Sequence, residues 1–303
     1  MRLGWLPGYF CLVMMSDRKR KALVDLLEDP DERIYLVIKQ VIKAEGQAII
    51  PMLNAVLDSE TSSVMQRNRV YDILQLIRFE AVSSELLSWR ESSDKDLLKA
   101  ILSLTKLVDS SLNEEEVIQQ MEAIRRDVWL ELNDYQTAFE QVKILNHLFF
   151  EVHGFECTSS FHRDLEHLNI GNVLKNKKGN PLVIGLIYSI IANWLEVPIY
   201  GVDFPKIFIL ARMDEHNSSF FTESENNYGV LFYINPIGKG LVFDEQEIRA
   251  FLKQIEIEPE RKHFEPTSNT NLIQRYVLAF EEACQFNGDF NALNAFTQLK
   301  ALL

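Results

Sequence analysis

The segment that most constrains the fold is Asn180–Leu195. After Asn180-Pro181 comes Leu182-Val183-Ile184-Gly185-Leu186-Ile187-Tyr188-Ser189-Ile190-Ile191-Ala192-Asn193-Trp194-Leu195. Asn before Pro is a sound helix start. The Asn carboxamide accepts from a first-turn N–H, and Pro at the first helical position gives up an amide that has no helical partner. A helix that is apolar on nearly every side has no face to offer water, so it is expected to be buried all round. It is too short to cross a bilayer, which takes about 20 apolar residues. No apolar run of that length occurs elsewhere in the chain.

The flanking sequence supplies what could bury it. After Pro198, β-branched and aromatic residues dominate short runs at Ile199–Val202, Ile207–Ala211, Val230–Ile234 and Leu241–Phe243, which predict strands. Gly238-Lys239-Gly240 predicts a hairpin turn. The polar stretch 213–228 between two of the runs reads as a hairpin or lid. Residues 154–168 read as loop or short helix. Glu245 to about Lys253 predicts a helix, and Gly288 divides two more, about Asn269–Asn287 and Asp289–Leu302.

Before residue 150 the apolar residues recur at helical spacing. One stripe is Leu23, Leu26 and Leu27. After Asp29-Pro30-Asp31 comes Ile34, Val37, Ile38 and Val41, with Asp31 as the cap. Further stripes include Ile49 to Leu57, Val70 to Ile77, and Leu97 to Leu104. Asn113 with Glu116 opens a helix through about Leu130. Helix pairs of about 40 residues resemble HEAT-type repeats. The expected class is therefore α+β. A HEAT-like helical region spans 16–150, a buried helix against an antiparallel sheet spans 151–257, and a TPR-like helical pair spans 258–303.

Charge narrows the function classes. Among 303 residues, 31 Lys and Arg face 44 Asp and Glu, for a net charge of −13. That opposes binding through phosphate neutralisation, so nucleic acid is not the expected partner. Anionic membrane surfaces are opposed for the same reason. Cys11, Cys157 and Cys284 are distant and odd in number, which predicts free thiols and a reducing, cytoplasmic compartment. Residues 1–15 are apolar, but no small-residue cleavage site follows and the basic Arg18-Lys19-Arg20-Lys21 stands on the wrong flank for a signal peptide. They read as an apolar arm or an upstream extension, with Met14 and Met15 as alternative starts.

Few residues offer chemistry. Cys157 with His153, His162 and His167 nearby is the candidate thiolate. The plainer reading is a lone loop cysteine. His162 and His167 with Asp164 and Glu166 match no zinc spacing. Gly171-Asn172 and Lys178-Gly179-Asn180 are too poor in glycine to cradle phosphate. Cys284 falls in a helical stripe with Phe280 and is expected to be packed. No metal or cofactor is expected.

Residues 146–211 resemble the core of a bacterial transglutaminase-like family of the SirB type. The opening Asn-x-Leu-Phe-x-x-x-x-Gly-Phe pattern is matched by Asn146, Leu148, Phe149, Gly154 and Phe155. The basic Gly-x-Pro entry to the apolar helix is matched by Lys177, Lys178, Gly179 and Pro181. The closing pattern is matched by Gly201, Val202, Phe204, Pro205 and Phe208. The resemblance implies a papain-like core with a Cys-His-Asp triad. Its Cys stands at the start of the buried helix, its His in a Phe-Pro-x-His-Phe segment and its Asp in an Asp-Pro pair. The corresponding positions here are Pro181, Ile207 and Asn235, none of which supplies that chemistry. The expectation is a catalytically degenerate protein that works as an interaction or scaffold module on a protein partner. The former cleft would hold Asn180, Pro181, Lys206 and Asn235. The alternatives are a residual cysteine hydrolase or acyltransferase using Cys157, and a small-ligand or peptide binder in that cleft.

Overall fold

A computed structural model describes residues 15–158, 164–214 and 229–303. The expected apolar arm with Cys11, the candidate His162, and the body of the expected lid lie outside the described residues. The chain divides into two compact units, one reaching Ala81 and one from Val82 to Leu303.

The first unit contains α1 (Asp17–Asp25), α2 (Glu32–Glu45), α3 (Ile50–Asp58) and the start of α4 (Val64–Glu91). Its core joins Leu27, Ile38, Ile42, Ile49 and Leu53 to Val70, Ile73 and Leu74. Asp31 caps α2 by accepting from the Arg33 amide. Of the expected stripe Ile34, Val37, Ile38 and Val41, only Ile38 is fully buried on α2. Tyr35, Ile38 and Ile42 are buried, whereas Ile34 and Val37 are exposed. The cause is Arg69. Its buried guanidinium donates to the Leu27 and Asp29 carbonyls and pairs with Glu32. It lies 4.5 Å from the centre of the Tyr35 ring, so the aromatic face turns inward. A helix apolar on both stripes has no periodicity that decides between them.

The second unit holds α5 (Leu97–Val108), α6 (Glu114–Glu131), α7 (Ala138–Asn146), α8 (Leu165–Leu168), α9 (Ile170–Asn176), α10 (Pro181–Trp194), α11 (Glu245–Gln254), α12 (Asn269–Asn287) and α13 (Phe290–Lys300). Two residues each of β1 (Glu156–Cys157) and β2 (Lys178–Gly179) pair in parallel. The main sheet is antiparallel in the order β3 (Ile199–Val202), β4 (Ile209–Met213), β5 (Val230–Asn235), β6 (Leu241–Phe243). The mixed helical and antiparallel architecture is α+β.

Local signals explain most boundaries. Asn180 Oδ1 accepts from the Leu182 amide at 2.9 Å and starts α10. Asn113 accepts from Glu115 and Glu116 and starts α6. Thr137 with Glu140, and Asp244 with Glu247, form reciprocal capping boxes for α7 and α11. Gly288 ends α12 in the left-handed region. Strand β4 begins two residues later than its apolar run, because Pro205-Lys206-Ile207 turns. Lys206 takes φ 65° and the Ile207 amide donates to the Pro205 carbonyl at 2.8 Å. The segment read as loop or short helix carries β1 and α8, and α9 follows it. Asn169 starts α9 by accepting from the Gly171 and Asn172 amides.

Helix α10 is buried without interruption from Leu182 to Ala192. It packs against α6, α9, β3 and β4. Tyr188 on this helix donates to Asn146 Oδ1 at 2.8 Å, and Asn146 Nδ2 donates to the Gly240 carbonyl at 2.8 Å. One carboxamide thus ties the central helix to the β5–β6 turn. Gly240 has φ 81°, and a Cβ there would lie 2.0 Å from Asn146 Oδ1. Only glycine allows that approach. Phe149 stacks on Phe155 at 4.2 Å and meets Tyr188 edge-on.

The Phe208 ring is wedged between two glycines. A Cβ on Gly185 of α10 would lie 2.4 Å from the ring and 3.2 Å from Pro236, and one on Gly201 of β3 would lie 3.0 Å from the same ring. Gly185→Ala is therefore expected to destabilise. Overpacking costs about 1–3 kcal/mol, and removing a helical glycine returns at most about 1 kcal/mol. Urea unfolding should register a net loss of about 1–2 kcal/mol, part of it recovered by adding Phe208→Leu. A neutral or stabilising Gly185→Ala would show that the wedge is loose.

Candidate functional site

The start of α10 is held by backbone contacts on two sides. The Asn180 amide donates to the His167 carbonyl at 2.9 Å, and the Thr158 amide donates to the Gly179 carbonyl at 2.9 Å. Gly179 is needed there, since a Cβ would lie 2.7 Å from Val173. Beside this helix start lies the Phe204–Phe208 loop. Arg275 of α12 grips it, donating from Nη1 to the Phe204 carbonyl and from Nη2 to the Ile207 carbonyl, both at 2.9 Å. That pair of hydrogen bonds holds Lys206 in its left-handed backbone, a conformation costing roughly 1 kcal/mol for a residue with a Cβ.

Between these pieces opens a groove of about 500 Å³. One end is formed by Thr158, Asn180, Pro181 and Leu182. One side carries Lys206, Ile207, Phe208 and Ile237. The other is a single helical stripe of α12, Arg275, Leu278, Ala279 and Glu282. Asn180, Pro181, Lys206 and Ile207, expected to share a cleft, all line it. Asn235 does not line it. Its Oδ1 accepts from the Ile237 amide at 3.0 Å, and its carbonyl accepts from the Gly240 amide. The carboxamide is used inside its own turn, as Asn commonly is. Its neighbour Pro236 packs near Gly185, one turn along α10 from Pro181.

The α12 wall has no counterpart among the expected cleft residues Asn180, Pro181, Lys206 and Asn235. Its signal is faint: an Arg, a Leu, an Ala and a Glu at i, i+3, i+4 and i+7.

Cys157 is half-buried and lies outside the groove. It makes no hydrogen bond to a histidine among the described residues. Burial, and then the charge of Glu156, push its thiol up to about 12. That is the opposite of the shift an activated nucleophile needs. His153 stands 3.1 Å from Asp127, and burial holds its imidazole below the ordinary histidine range. His167 stands 3.6 Å from Asp164. Among the described residues no group of three His, Cys, Asp or Glu side chains is placed to hold a metal ion. Likewise no helix among them is long and apolar enough to cross a membrane.

Residues 115–277, from α6 into α12, match the family described as the Transglutaminase-like superfamily. Among curated proteins the chain is similar to Protein SirB1 of Salmonella typhimurium, with 29% identity over 123 residues and 41% of each chain covered. It is similar to a UPF0162 protein of Buchnera aphidicola, with 29% identity over 115 residues and 38% of each chain covered. A UPF0162 protein of Pasteurella multocida is 26% identical over 98 residues, which are 32% of this chain and 37% of that relative. The chain therefore spans about two fifths of the length of these relatives. No solved structure matches.

The cysteine environment predicts a pH dependence with a definite sign. An ordinary thiol titrates near 9.0, and burial pushes that of Cys157 in the folded chain up to about 12. The folded state thus holds this proton more tightly than the unfolded state. The stabilisation is intact below pH 9 and is lost as pH rises towards 12. One such thiol contributes a slope of up to about 1.4 kcal/mol per pH unit in that window. Cys157→Ala should flatten the fall in unfolding free energy measured by urea between pH 8.5 and 10.5. The remaining slope belongs partly to Cys284, whose thiol burial also raises to about 12. Identical slopes for the two proteins would contradict this account.

Proposed function

The chain belongs to the transglutaminase-like superfamily, and from that premise we propose that it works by binding and not by turnover, as a non-enzymatic interaction module. One observation carries the reading: the make-up of the groove at the start of α10. A thiolate there would form the acyl-enzyme of a triad enzyme, and removing the nucleophile alone removes covalent catalysis. Pro181 occupies the start of the helix, facing a groove that Ile207 also lines. Neither has a titratable atom, and the Asn235 carboxamide is no base. Among the described residues no Cys or His lines the groove. Thr158 already donates its hydroxyl to the Gly179 carbonyl. The alternative of a residual hydrolase at Cys157 is disfavoured by a thiol raised to about 12.

The helical unit supports a protein partner. Leu36 and Val37 of α2 are 53% and 63% exposed. A groove of about 860 Å³ beside α1 and α3 combines Val24, Met52, Ala55 and Val56 with a charged rim of Asp17, Arg18, Lys21 and Asp25. Exposed apolar surface ringed by charge is the usual form of a protein-binding site. A net charge of −13 keeps nucleic acid an unfavourable partner, and the free thiols Cys157 and Cys284 fit a cytoplasmic setting.

The test is to incubate the full chain with an activated acyl ester and an amine acceptor, and to follow both turnover and intact mass. We expect no burst, no acyl-thioester intermediate and no rate above that of Cys157→Ala. An acyl-thioester on a cysteine that passes its acyl group to the amine, or turnover that Cys157→Ala abolishes, would overturn the reading.

A further inference from the structure

We infer that the groove at the start of α10 receives a short free peptide, about three residues long, with an apolar middle. Its C-terminal carboxylate would meet Lys206 and its amino group Glu282. The inference rests on the groove being a binding site and names the class of ligand.

Three features of the groove agree on this occupant. The first is its apolar lining. Leu278 is 40% exposed and Ile237 45% exposed, yet both line a concave space together with Ile207. Its volume of about 500 Å³ falls in the range of small-ligand sites, about 300–1,000 Å³.

The second is a pair of unsatisfied opposite charges. Lys206 and Glu282 both line the groove, both are exposed, and neither makes an ion pair among the described residues. Arg275, the other cation among the described lining residues, is already bonded to the Phe204 and Ile207 carbonyls. Those bonds fasten α12 to the Lys206 loop at Arg275. Glu282 lies seven residues further along the same helix, about 10.5 Å at 1.5 Å per residue. The groove is therefore polarised, cationic beside Arg275 and anionic two turns away.

The third is the match of lengths. An extended chain rises about 3.3 Å per residue, so three residues place their terminal ammonium and carboxylate about 10 Å apart. An internal segment of a longer protein carries neither terminal charge, and a fatty acid carries only one. Asn180 adds a donor, since its Oδ1 is taken by the Leu182 amide while its Nδ2 has no partner among the described residues. The Lys206 backbone is fixed by the Arg275 clamp before any ligand arrives, which lowers the ordering cost of binding.

The experiment is calorimetric titration of the full chain with the tripeptide Ala-Leu-Ala, its C-terminal amide, its N-acetyl form, and octanoate as a single-charge apolar control. We expect the free tripeptide to bind, and each blocked form to bind at least about tenfold more weakly, as loss of one charged hydrogen-bond partner implies. Lys206→Gln should weaken the free peptide and leave the amide's affinity unchanged, and Glu282→Gln should do the same for the acetylated form. Both side chains are exposed, and unchanged thermal melts would certify folding. No binding at millimolar peptide, equal affinity for free and blocked forms, octanoate binding as well as the peptide, or indifference to Lys206→Gln would each overturn the inference. Mass spectrometry of the recovered peptide separates this from the reading above. Cleaved or acylated peptide would refute non-enzymatic action, whereas an intact peptide that fails to bind refutes only the ligand assignment.

Discussion

Helix α10 has no water-facing side between Leu182 and Ala192, and the second unit is arranged around that fact. Each flank must be covered by apolar surface, so α6 and α9 close on it together with β3 and β4. The backbone must also come close where ring and helix meet. Gly185 and Gly201 exist to admit the Phe208 ring, and Tyr188 can bury its hydroxyl only because Asn146 accepts it. The Tyr188–Asn146–Gly240 chain then fixes the hairpin that carries Asn235 and Ile237. A buried hydroxyl left without that carboxamide would cost more than an ordinary surface hydrogen bond, because nothing else nearby replaces water.

This changes the meaning of the motif residues. Asn146, Phe149, Phe155, Gly179, Gly201 and Phe208 look like a family signature, and their roles here are packing and positioning. Phe149 and Phe155 stack beside Tyr188, and Gly179 clears Val173. The signature can therefore persist while the groove next to it holds Pro181 and Ile207. Of these signature residues Phe208 also lines the groove, whereas the others are not among its described lining residues.

The groove depends on a contact made late in the chain. Arg275 reaches back to the Phe204 and Ile207 carbonyls, and Tyr276 donates to the Leu168 carbonyl. Thr267 also donates its amide to the Gly201 carbonyl. The helix α12 is thus a wall of the groove and part of the second unit's packing. Its Leu278 and Glu282 line the groove together with Lys206, Ile207 and Ile237.

The chain's own sequence determined what local rules govern. The Asn180-Pro181 start, the burial of α10, the runs at Ile199–Val202 and Leu241–Phe243, and the break at Gly288 follow from caps, periodicity and glycine, which act within a few residues. The pairing of Pro181 with Ile207 at one place was legible through the family pattern, because that pattern encodes a fold. Only the tertiary structure decided which stripe of α2 is buried, that Asn235 spends its carboxamide on its own turn, that the Cys157 thiol is raised, and that Arg275 and Glu282 stand over the groove. The Asn235 contact is local, to an amide two residues on, and the physical reason is common to the other three. Each depends on an environment assembled in space, as when Arg275 meets a carbonyl 71 residues away, and a contact made across such a separation leaves no periodicity in the chain.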